Sequence, residues 1–159
     1  VSFLEENGIS VEIVPGITSG IAASSYVGIP LTHRHGASSV TFVTGHETSE
    51  KQEKSVNWRQ LALSSNSLVI YMGIRNIEYI VEELIIGGMK RDTKCAAIQE
   101  ATLKNQKSLM TDLSELPEVI RKYNIRPPAI VIIGRIVEFQ VKNTITKLSA
   151  VNLPKIKKI

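Results

Sequence analysis

The chain is 159 residues long and 43% hydrophobic, enough for one domain that buries roughly two thirds of the surface its unfolded form would expose. Its formal charge of +4 does not mark a nucleic-acid-binding face: residues 140–159 hold five Lys and no acid, and removing those five from the 19 Lys and Arg leaves 14 bases against 15 acids in residues 1–139. No apolar run reaches the roughly 18 residues of a membrane span, and no signal peptide is visible, which together with a single Cys points to the cytoplasm and away from membranes.

Ser2 to Asn7 reads as the end of a helix stopped by Gly8, and a start at Val1 without an initiator Met implies a piece of something longer. Val11 to Val14 reads as a strand. A Pro-Gly corner follows, then a helix opening at Thr18 and Ser19 and built largely from Gly20, Ala22, Ala23, Ser24 and Ser25. Such a helix gives up side-chain burial, and Gly20 alone costs roughly 1 kcal/mol of helix propensity. Something must therefore approach its backbone closely, either a neighbouring element or a ligand across the helix start.

Further strands are predicted at Ser39 to Thr44, Ser67 to Met72, Lys94 to Gln99, Ser108 to Thr111 and Ala129 to Val137, the last following the Arg126-Pro127-Pro128 interruption. Helices are predicted at Trp58 to Leu63 and from Ser114 to Tyr123 with Pro117 in the first turn. The clearest helical period is Ile77, Ile80, Val81, Leu84 and Ile85, one apolar face with Asn76 as N-cap and Gly87 as stop. Alternation of strands and helices predicts an α/β fold, a mixed sheet of about five strands with helices on both faces. The helical crossover between Met72 and Lys94 favours parallel neighbours there, and the short 99–108 connection an antiparallel pair. Cys95, inside an apolar run, reads as core. Residues 140–159 read as a solvated basic tail.

Chemistry-bearing motifs are sparse. His33, His35 and His46 form the only metal-like set, and no acid or Cys stands at a supporting spacing, so they read as surface or interface histidines. There is no Walker loop, GxGxxG, nucleophile elbow or HExxH. What remains are chain corners. VPGIT presents free backbone N–H groups at Thr18 and Ser19, where an acceptor can bind. IYMG ends a strand on Met72 and Gly73, and AAIQEATLKNQ does the same with Ala96, Ala97, Ala101 and Thr102. Ligands of α/β sheets lie outside the carboxyl ends of strands. From composition, Met72 is equally a core filler and the alanines close packing.

In order, the blocks VPGITSG, GIPLTHR, VTFVTGHE, LVIYMG, AAIQEATLKNQ and PPAIVIIGRIV resemble the C-terminal half of the tetrapyrrole methylases over residues 1–139. The resemblance implies the carboxyl-terminal domain of that fold, with S-adenosylmethionine held in a cleft between two domains of a homodimer. THRHGASSVTFVTGHE is similar to the branch that methylates uroporphyrinogen III on the route to sirohaem and cobalamin, rather than to precorrin-, protein- or RNA-methylating branches. Thr18, Ser19, Met72 and Ala101 are then implied to line the cofactor. Ala often stands at the place of Ser19 and Gly at that of Ala101, and an Ala there excludes the positive φ open to Gly. The family's glycine-rich loops and proposed acid/base groups belong to the half that does not match, so no catalytic residue is assigned here. The rival reading is a folding and dimerisation module without a ligand, and Leu31 to Ser39, polar and rich in His, is the expected contact between copies.

Overall fold

A computed structural model describes residues 1–45 and 56–141; His46 and the tail from residue 142 lie outside the described residues. The elements run α1 (Ser2–Glu6), α2 (Ser19–Tyr26), β1 (Thr41–Thr44), α3 (Trp58–Ser64), β2 (Leu68–Tyr71), α4 (Ile77–Ile86), β3 (Lys94–Gln99), β4 (Lys107–Asp112), α5 (Leu116–Lys122) and β5 (Ala129–Ile133). The sheet has the order β1-β2-β5-β3-β4, with β1 and β2 parallel and every other pair antiparallel.

Both faces of this mixed five-stranded sheet are covered, as the strand pattern requires. Leu68 and Ile70, Cys95 and Ala97, and Val131 and Ile133 turn to one side, where Trp58 of α3, Ile80 and Leu84 of α4 and Leu116 of α5 close the larger core. Val69, Ala96, Ile98, Ile130 and Ile132 turn to the other, against Ala23 of α2, Ile29 and Ile136. This is the period-2 alternation of a sheet buried on both faces. Cys95 is fully buried, and burial pushes its thiol pKa up, so it is a packing residue.

The small-residue helix has a packing explanation. A Cβ on Gly20 would stand 2.5 Å from Tyr71 Oη, 2.9 Å from Val69 Cγ1 and 3.0 Å from Phe42 Cε1. With Gly20, Ala23 and Ser24 buried, α2 lies almost directly on β1 and β2.

Four expectations are corrected. Val11 to Val14 forms no strand: no backbone partner meets it, and Ile13 and Val14 are 77% and 79% exposed. Its apolar side chains face no core among the described residues. The predicted strand Ala129 to Val137 stops at Ile133, because Gly134 takes φ 141° and Arg135–Phe139 winds into a 3-10 helix. Asn76 precedes α4 but its side chain does not cap it; Nδ2 donates to the carbonyl of Gly45 at 2.8 Å and ties the end of β1 to the start of α4. Finally, β2 and β3 run in the same direction but are not neighbours, since β5 lies between them.

Candidate functional site

Because β5 runs antiparallel, its amino end meets the carboxyl ends of β2 and β3: Ile130 stands opposite both Tyr71 and Ile98, and Ala129 opposite Gln99. The amino end of α2 reaches the same edge, where Thr18 Oγ1 and Tyr71 Oη lie 2.6 Å apart in a hydrogen bond. These segments enclose an open cavity of about 570 Å³, lined by Ser19, Tyr71, Met72, Ala101, Pro128 and Ile130 among others. Its size and its largely apolar walls are those of a small-molecule site.

Three of the four sequence-assigned residues, Ser19, Met72 and Ala101, thus share one cavity, and Thr18 sits behind it through Tyr71. Met72 is 60% exposed, so the alternative of a core filler does not hold. Ala101 is absent from the residues with positive φ, and its methyl is accommodated without backbone strain. The strain lies beside it. Met72 at φ 52°, Glu100 at φ 49° and Thr102 at φ 73° all occupy the left-handed region, which costs a non-glycine residue about 1–2 kcal/mol and collects at ligand sites.

Hydrogen bonds hold this strained rim. The Thr102 amide donates to Gln106 Oε1 at 2.7 Å, the Glu100 amide to the Pro128 carbonyl at 3.0 Å, and the Arg126 amide to Gln99 Oε1 at 2.8 Å. The loop after β3 and the Pro-Pro segment before β5 are therefore one unit. Sequence reading missed Tyr71, Glu100 and the Pro127-Pro128 wall. The first two lie inside the quoted blocks LVIYMG and AAIQEATLKNQ, whereas the prolines signalled only an interruption.

His33 and His35 do not join this site. His33 and His35 occupy a tight turn closed by the His33–Ala37 bridge, and the His33 ring stacks on Phe139 with centroids 4.1 Å apart. Among the described residues no three His, Cys, Asp or Glu side chains are grouped for a metal ion. No described helix is long and apolar enough to cross a membrane.

Comparison with known proteins gives a consistent picture. The family described as Tetrapyrrole (Corrin/Porphyrin) Methylases matches residues 1–117. The chain is 45% identical over 139 residues to a uroporphyrinogen-III C-methyltransferase of Bacillus subtilis (strain 168), covering 87% of this chain and 54% of that protein. It is 39% identical over 144 residues to a siroheme synthase of Vesicomyosocius okutanii, covering 89% of this chain and 30% of that one. The solved uroporphyrin-III C-methyl transferase of Thermus thermophilus complexed with S-adenyl homocysteine superposes with a TM-score of 0.71 at 31% identity, covering 86% of this chain and 58% of that one. The chain spans about half the length of the uroporphyrinogen-III methyltransferase from Bacillus.

Proposed function

Since the chain belongs to the tetrapyrrole (corrin/porphyrin) methylase family, we propose that residues 1–139 act as the carboxyl-terminal domain of an S-adenosylmethionine-dependent uroporphyrinogen-III C-methyltransferase, making precorrin-2 for sirohaem or cobalamin synthesis in the cytoplasm. The observation that carries this reading is the convergence of Ser19, Met72 and Ala101 on one cavity with Thr18 at its edge, in a chain similar to a protein solved with S-adenyl homocysteine.

The cavity fits such a cofactor on its own chemistry. Apolar walls from Ile98, Ala101 and Pro128 suit a flat heterocycle, Met72 adds a polarizable side chain that adapts to a ring face, and Ser19 and Tyr71 contribute hydroxyls. When bound, the cofactor supplies an electrophilic sulfonium methyl. The part assigned to these residues is binding and orientation, which keep the donor in line with an acceptor carbon. In a relative such as the Bacillus enzyme, the roughly half of its length that this chain does not match would supply the facing wall.

Met72→Ala tests the cofactor assignment. A buried Met would cost about 2–5 kcal/mol on truncation, but this one is 60% exposed. In a full-length enzyme the expected outcome is a loss of S-adenosylmethionine affinity of about tenfold, with a change in folding free energy below about 0.5 kcal/mol. Calorimetric titration beside denaturant melts separates the two, and a large stability loss with unchanged affinity refutes the assignment.

The same reading includes a homodimer that uses the Leu31 to Ser39 turn. It is supported by the place of this turn beside β1, an edge strand of the sheet with Phe42 41% exposed. Sedimentation across a concentration series should show self-association, and a strict monomer at high micromolar concentration argues against this contact.

A further inference from the structure

Of the described residues lining the cavity, Glu100 alone carries a charge. Its neighbours there, Ile98, Ala101, Leu103 and Pro128, are hydrocarbon. The side chain is held in place: Oε2 accepts from Gln99 Nε2 at 3.3 Å and from Asn105 Nδ2, while the Glu100 amide is fixed to the Pro128 carbonyl. Both side-chain donors address Oε2, and Oε1 makes no hydrogen bond among the described residues. The backbone adopts a left-handed φ of 49° at this residue, a conformation that persists in a non-glycine residue only when its surroundings impose it.

Among the described residues this carboxylate keeps one oxygen free, and the apolar walls beside it reduce, without removing, the solvent screening of its field in this open cavity. We propose that Glu100 sets the charge selectivity of this cavity, favouring a ligand with an added positive charge over its neutral counterpart. The inference rests on the cofactor reading above. In that reading the sulfonium donor carries one positive charge more than the thioether left after methyl transfer, since the S–C electron pair stays on sulfur. Glu100 therefore adds to the grip on the donor, and that added attraction is lost once the methyl group has left. The argument requires proximity and charge rather than direct contact, and it concerns discrimination between two ligands rather than overall affinity.

The test compares the purified protein and its Glu100→Gln variant in titrations with S-adenosylmethionine, S-adenosylhomocysteine and sinefungin, an analogue with an amine-bearing carbon in place of the sulfonium. Protein NMR reads dissociation constants into the millimolar range and shows whether each variant keeps its fold. Glu100→Gln should weaken the two cationic ligands by about fivefold and change the neutral thioether by less than about twofold. Leu103→Glu alone adds a second carboxylate at an exposed position of the same rim and should raise the preference for cations, which keeps the idea testable should Glu100→Gln disturb the loop. Equal weakening of all three ligands by Glu100→Gln overturns the proposal, because Glu100 then binds a group they share. Unaltered preference in a folded Glu100→Gln variant overturns it as well, as does a Leu103→Glu variant whose preference does not change, since a rim carboxylate then has no effect on charge selectivity. Failure of the unmodified protein to bind any of the three is a distinct result that removes the cofactor reading itself, and the selectivity proposal with it.

Discussion

Incubated with S-adenosylmethionine and uroporphyrinogen III, residues 1–159 alone are expected to produce no methylated tetrapyrrole, and adding the amino-terminal half of the Bacillus subtilis relative is expected to restore turnover. The cavity is bounded by α2, the ends of β2 and β3 and the start of β5, and no described segment closes its remaining side. A ligand held by half its contacts keeps half its binding free energy at best. For a micromolar cofactor of about −8 kcal/mol that leaves about −4 kcal/mol, or millimolar affinity. Methyl transfer also needs the acceptor carbon fixed in line, and a one-sided site fixes neither partner. Chromatography of the reaction products with and without the added half decides the matter. Turnover by the chain alone would place the catalytic groups here and invalidate this division of labour.

The second large effect is expected at Gly20. Replacement by Val removes a helical glycine, a gain below about 1 kcal/mol, but places a branched side chain where even a Cβ would be 2.9 Å from Val69 Cγ1 and 3.0 Å from Phe42 Cε1. Val69 is fully buried and has nowhere to move. Overpacking of this kind costs about 3 kcal/mol, so the steric term wins, and that is a large share of the roughly 5–15 kcal/mol by which a domain is stable. Displacing α2 would also part Thr18 from Tyr71. Urea melts should show the loss, with cofactor affinity falling in the fraction that remains folded. Unchanged stability would mean that α2 does not lie on the sheet as described.

The strands legible in the sequence are those whose partners lie in this chain. Lys94–Gln99 was readable to the residue, and Leu68–Tyr71 and Lys107–Asp112 to within one at each end, because their alternating faces are both buried or their pairing is local. Val11 to Val14 has the same apolar character and no strand, since periodicity reports an affinity for burial and not the presence of a partner. Asn76 failed as a cap for a related reason: its amide found the Gly45 carbonyl, a contact 31 residues away that no local rule foresees. The placement of β5 was hidden likewise, as strand order is a property of the whole sheet.

The candidate site was legible through resemblance rather than composition. Small residues at Ser19 and Ala101 and a soft side chain at Met72 fit packing as well as binding, and in the sequence only the ordered blocks pointed to binding. Glu100 and Thr102 were invisible as strained positions, because nothing in a glutamate or a threonine announces a left-handed backbone.

The position of β5 bears on how the polypeptide matures at the ribosome. Synthesis proceeds from the amino end, yet the strand that separates β2 from β3 is the last of the five to be made. Until residues 129–133 emerge, the nascent chain holds two unjoined pieces, the parallel β1–β2 pair and the β3–β4 hairpin, each with an uncovered inner edge. Such edges recruit other strands. The interval between completion of β4 and arrival of β5 is thus the period in which a trigger-type chaperone has most to shield, and the central strand then enters as a wedge that converts two exposed edges into interior ladders in one event.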